Sequence, residues 1–234
     1  MKKKTSQTSL DKALIESVRA GDEDRVRDSL LAGADIHTRK DCAISYAAAN
    51  GCLEVVQILL DNGADIHARN GNALLMASLN GQLEAVRVLL DHGADIHAGG
   101  VNALLMASLN GHIEVVKLLL DRGADLHLKD DYALLLAAEK GHLELVRMLL
   151  DRGADALAKD NMALRNSVAN GCQDIALLLL AHGADLEVGI EAAKEQTDLG
   201  MLDMLNQIKR SRAEKDILLS EVPVPGRADQ RIRM

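Results

Sequence analysis

This chain of 234 residues has no phenylalanine, no tryptophan and two tyrosines, an aromatic content of 1%. A core built without rings must be filled by Leu, Ile, Val, Ala and Met, side chains that let packed elements approach closely. The same shortage removes the stacking platforms on which single-stranded nucleic acid is usually held. The only prolines, Pro223 and Pro225, lie in the final dozen residues. Three cysteines, Cys42, Cys52 and Cys172, form no disulfide or metal framework and fit a reducing, cytoplasmic compartment. Asp11 and Lys12 stand where a signal peptide needs an apolar run. No stretch approaches the 18 or so consecutive apolar residues of a membrane span, so no membrane association is expected.

Charge is present but uneven. Of the net −8, Lys2, Lys3 and Lys4 contribute +3, and seven basic against four acidic residues from Lys209 onward contribute another +3. The body from Asp11 to Ile208 therefore carries −14. Such a body repels phosphate backbones; it favours a partner with a basic patch or simply keeps the protein soluble.

What the sequence has in abundance is repetition. Gly-Ala-Asp-Ile-His stands at Gly33–His37, Gly63–His67 and Gly93–His97, and returns in altered form from Gly123, Gly153 and Gly183. Every step is 30 residues. A fixed period of this size marks a solenoid, in which one short unit stacks on the next.

One unit shows the local logic. Asn102 is placed to cap a short helix through Asn110, and Gly111 is placed to end it in left-handed geometry. A second helix follows over His112–Arg122, with Ile113, Val116, Leu119 and Leu120 on a single apolar face. Gly123 ends that helix, and Ala124-Asp125-Leu126-His127 leads into the next unit. At the start of the chain, Ser9 is the expected cap of the first helix.

The stretch Gly-His-Ile-Glu-Val-Val-Lys-Leu-Leu-Leu-Asp-Arg-Gly-Ala-Asp at 111–125 resembles the ankyrin repeat, and the likeness extends over residues 9–210. The resemblance implies an all-α, ankyrin-type helical solenoid of stacked helix–turn–helix units. It also implies a non-enzymatic module that binds a protein partner through its concave face. Two departures stand out. The family's unit is about 33 residues and opens on Thr-Pro-Leu-His. Here three residues are missing from the loop, so the projecting hairpin fingers should be short or absent. The first-turn proline has become Ala43, Ala73, Ala103, Ala133 and Ala163. The expected organisation is a disordered segment 1–8, an N-terminal cap 9–37 and five repeats over 38–187. A degenerate C-terminal cap at 188–210 and a charged, partly disordered tail at 211–234 complete it.

Chemical sites find little support. His37, His67, His97 and His127 recur in the loops, and His112 and His142 at helix starts. Units packed about 8–10 Å apart cannot bring equivalent histidines to one metal, whose nitrogen ligands lie at about 2 Å. The repeated Asp35, Asp65, Asp95, Asp125, Asp155 and Asp185 are too far apart to share a proton, and each is expected to accept backbone hydrogen bonds in its own loop. His92 and His182 should complement the ends of outer helices. No motif of a known catalytic class is present, and no cofactor or small-molecule substrate is expected.

The resemblance places partner contacts on the loop tips and on the exposed edge of the inner helices. The edge residues are Ala49 with Asn50, Leu79 with Asn80, Leu109 with Asn110, Glu139 with Lys140, and Ala169 with Asn170. Leu79 and Leu109 lie in identical ten-residue runs, Asn72–Gly81 and Asn102–Gly111. That identity is either recent duplication or an apolar binding patch. The expected exposed tips are Lys40, Asp41, Gly71, Val101, Asp131, Tyr132, Asn161 and Met162, which vary between units. Tyr46, Tyr132 and Arg165 are side chains of the kinds that dominate binding hot spots, although Tyr46 has an alternative place packed under the first unit. The working form is expected to be a monomer. Two other readings stay open: a spacer whose basic tail docks or exports, and a host-directed effector or inhibitor of a defence enzyme.

Overall fold

The computed structural model describes residues 6–99 and 102–220. Helices α1 (Gln7–Ala20) and α2 (Glu23–Leu31) form the first pair, followed by α3 (Thr38–Asn50) and α4 (Leu53–Asp61). Next come α5 (Ala68–Leu79) with α6 (Leu83–Asp91), then α7 (Ala103–Leu109) with α8 (Ile113–Asp121). The array continues with α9 (Tyr132–Glu139) and α10 (Leu143–Asp151), then α11 (Ala158–Ala169) and α12 (Gln173–Ala181). It ends with α13 (Leu186–Glu195) and α14 (Leu199–Ser220). Odd-numbered helices stack on one another as an inner layer, and even-numbered helices from α2 to α12 form the outer layer. No strand occurs among the described residues, nor any helix long and apolar enough to cross a membrane.

The core follows the 30-residue period. Ala47, Ala77, Ala107 and Ala137 of the inner helices are fully buried, as are Leu59, Leu89, Leu119, Leu149 and Leu179 of the outer ones. Small residues bring the inner helices close while leucines fill the space behind them, so one continuous core runs through the stack. Outer-helix ends are tied between units by Arg122–Asp91 and Arg152–Asp121 at 2.8 Å. These exposed pairs add little stability beside the buried leucines.

Gly111 ends α7 as expected, with φ +73°. The Asn102 side chain accepts from the Leu105 N–H at 3.1 Å, satisfying one otherwise orphaned donor. The first helix differs from expectation. It begins at Gln7, two residues before Ser9, because the Gln7 amide donates to Asp11 at 2.7 Å and to the Gly33 carbonyl at 3.0 Å.

Four of the connections between units are a single left-handed turn. Arg39-Lys40-Asp41, Arg69-Asn70-Gly71, Lys129-Asp130-Asp131 and Lys159-Asp160-Asn161 all have φ between 50° and 71°. A residue with a Cβ is disfavoured there by about 1–2 kcal/mol. The third position supplies compensation. Asp41 accepts the Asp65 N–H at 3.0 Å, and Asn161 accepts the Asp185 N–H at 2.8 Å, each tying its turn to the loop of the next unit.

Candidate functional site

The repeated aspartate holds its own loop. Asp35, Asp65, Asp95 and Asp125 accept the backbone N–H of the histidine two residues on, at 2.9–3.0 Å. Asp155 and Asp185 do the same for Leu157 and Glu187 at 2.8 and 2.9 Å. His37 and His127 donate from Nδ1 to Asp41 and Asp131 at 2.9 and 3.0 Å. His112 and His142 reach across the unit boundary, donating from Nε2 to the Leu79 and Leu109 carbonyls at 3.0 and 3.1 Å. His92 and His182 bond the last-turn carbonyls of Val88 and Leu178, as expected for outer-helix ends. Among the described residues no three His, Cys, Asp or Glu side chains are gathered as a metal would require.

These bonds correct one expectation. Asp41, Asp131 and Asn161 are not exposed tips; they are 7%, 6% and 8% exposed, and Gly71 is also buried. The left-handed turn points its third residue inward, where a carboxylate or amide serves the next loop. The true tips are its first two positions. Lys40 and Met162 are exposed, and Val101 lies outside the described residues.

The expected edge residues fall into two rows. Asn50, Leu79–Asn80, Leu109–Asn110 and Glu139–Lys140 end successive inner helices and therefore stand side by side along the stack. The asparagines are exposed and the two leucines half-buried, with Leu109 packed against the core. Asn80 and Asn110 donate to Met76 and Met106 carbonyls of their own helices, while Asn50 bonds the Arg19 carbonyl of the preceding unit. Lys140 pairs with Glu139 at 2.9 Å. Tyr132 begins α9, some seven residues and roughly 10 Å from this row, on the tip side. Its ring lies 5.2 Å from the Lys159 ammonium. Tyr46 is half-buried beneath the Arg19 guanidinium, 4.3 Å from the ring centre, which favours the packed alternative. Arg165 is half-buried on α11.

Residues not singled out from the sequence complete this surface. Leu75, Met76 and Met106 are half-buried on the inner helices of the second and third units. Helical spacing puts Asn72, Leu75, Met76 and Leu79 along one side of α5, so the apolar edge is a strip rather than two isolated leucines. Arg39, Arg69, Lys129 and Lys159 share the first position of the left-handed turn. The signal was available in the sequence as a basic residue at that position in four of five units.

Family comparison agrees with this geometry. The model described as ankyrin repeats in three copies matches residues 46–130 and 104–189, more than half of the chain. No curated protein matches the chain. The repeated helix pairs, their stacking and the matched span together settle the family: the chain belongs to the ankyrin repeat family.

Proposed function

We propose that this array is a non-catalytic binding module whose inner-helix edges hold a protein partner. Ankyrin repeats generally serve as protein–protein interaction modules. The observation that carries the reading here is the strip of half-exposed Leu75, Met76, Leu79, Met106 and Leu109 across two adjacent units. Aliphatic side chains that the fold leaves partly exposed gain further burial when a partner covers them, at about 25 cal/mol per Å². Duplication explains why the two units are alike; it does not supply what covers them.

The module works as a monomer, without a cofactor. The free thiols of Cys42, Cys52 and Cys172 support a reducing, cytoplasmic setting. The test is Leu79→Glu combined with Leu109→Glu. Both positions are half-exposed, so helical circular dichroism should persist while partner capture falls at least about tenfold, the effect of burying an unpaired charge at an interface. Unchanged capture would make the groove assignment wrong.

A second reading makes the array a spacer for the segment beyond it. It is favoured by the length of α14, 22 residues where α4 to α12 of the outer layer have nine. Deleting residues 211–234 separates the two, since the groove reading predicts retained capture.

A further inference from the structure

Ion pairing and backbone preference leave part of the tip row unexplained. A left-handed residue is best as Gly, Asn or Asp, yet Arg39, Lys40 and Arg69 occupy such positions. All three are exposed, and none makes an ion pair with a described residue. They line one open cleft between the first and second loops. The carboxylate lining that cleft, Asp65, is engaged by the His67 N–H at 2.9 Å. Asp41, behind it, is buried between the His37 ring and the Asp65 N–H. Three cations therefore face solvent around a cleft lined by a single carboxylate, that of Asp65.

Ala68, Arg69 and Asn70 line the cleft, and the same element, α5, carries Leu75, Met76 and Leu79 toward its C-terminal end. We propose that the first three units take an acidic segment of a partner protein. Its carboxylates sit against Arg39, Lys40 and Arg69, and its aliphatic side chains lie over Met76, Leu79 and Leu109. The net charge of the body does not oppose this. Glu54, Glu84, Asp61 and Asp91 belong to the outer helices, one helix diameter of about 10 Å behind the groove. That exceeds the screening length of about 8 Å at physiological salt, and at the cleft itself Arg39, Lys40 and Arg69 outnumber its one lining carboxylate, Asp65.

The proposal rests on the groove reading above, and the test separates the two. A random peptide display library is panned on the immobilised full-length chain, and enriched sequences are made as synthetic peptides. Expected are peptides combining Glu or Asp with Leu, Ile or Met, whose affinity falls with salt. The variant Arg39→Glu/Lys40→Glu/Arg69→Glu should bind them at least about tenfold more weakly, as should Leu79→Glu/Leu109→Glu. The neutral variant Arg39→Gln/Lys40→Gln/Arg69→Gln should lie between, and circular dichroism confirms that each is folded.

Neutral or basic peptides that ignore the charge reversal but are lost on the leucine variant would overturn the acidic partner and leave the groove. Peptides indifferent to both variants would overturn the groove as well. A single-stranded oligonucleotide or anionic phospholipid vesicle that displaces the peptide, with the same dependence on Arg39 and Arg69, would reassign the cleft to phosphate. A selection that enriches nothing would also defeat the proposal.

Discussion

The Nε2 of His142 donates to the carbonyl of Leu109 at 3.1 Å, bridging 33 residues of sequence and one unit boundary. The ring that makes this bond lies against Gly111; a Cβ there would stand 2.6 Å from its Nδ1. Helix termination and unit stacking are thus coupled at one glycine. Gly111→Val should be destabilising twice over, through left-handed strain of about 1–2 kcal/mol and through displacement of the ring. In a His142→Ala background only the strain should remain, so a double-mutant cycle read by urea unfolding should be clearly non-additive.

Asp41 serves two partners at once, His37 and the Asp65 N–H. Asp41→Ala leaves that N–H without an acceptor and should cost about 1–3 kcal/mol. Asp41→Asn keeps an acceptor and should cost less. Hydrogen exchange at the Asp65 amide reports the local effect. Asp95 offers an internal comparison, because Gly71 has no side chain with which to cap it, and its amide should exchange faster than that of Asp65.

Lys40, at φ 60° and ψ 55°, is the middle residue of its turn. Asparagine tolerates this conformation far better. Lys40→Asn should raise stability by about 0.5–1 kcal/mol, seen as a higher urea midpoint. If the cleft binds carboxylates, the same change should weaken binding, making stability and function move in opposite directions.

Leu119 is fully buried in the outer helix of the central unit. Leu119→Ala should cost about 2–5 kcal/mol. In an array held by nearest-neighbour contacts, a weak centre lets the two halves separate energetically. Unfolding followed by circular dichroism should then broaden or split into two steps, whereas Leu31→Ala, at a side chain 86% exposed, should leave the transition nearly unchanged.

The sequence by itself determined the unit, its period and its core. Those features depend on local rules: glycine adopts positive φ, as at Gly111, and apolar residues three and four apart share a helix face, as at Val116, Leu119 and Leu120. It also identified Asp35 and its copies as loop acceptors, because that bond spans two residues. Only the tertiary structure decided the direction of Asp41 and Asn161, the reach of His112 and His142, and the place of Tyr46 beneath Arg19. Those contacts join neighbouring units across 24 to 33 residues of chain. Their existence depends on how closely alanine-faced inner helices pack, a distance no local pattern encodes. The left-handed turn belongs to the same class: the missing loop residues announced a short connection, and the spacing of the stacked units made it three strained residues with the third turned inward.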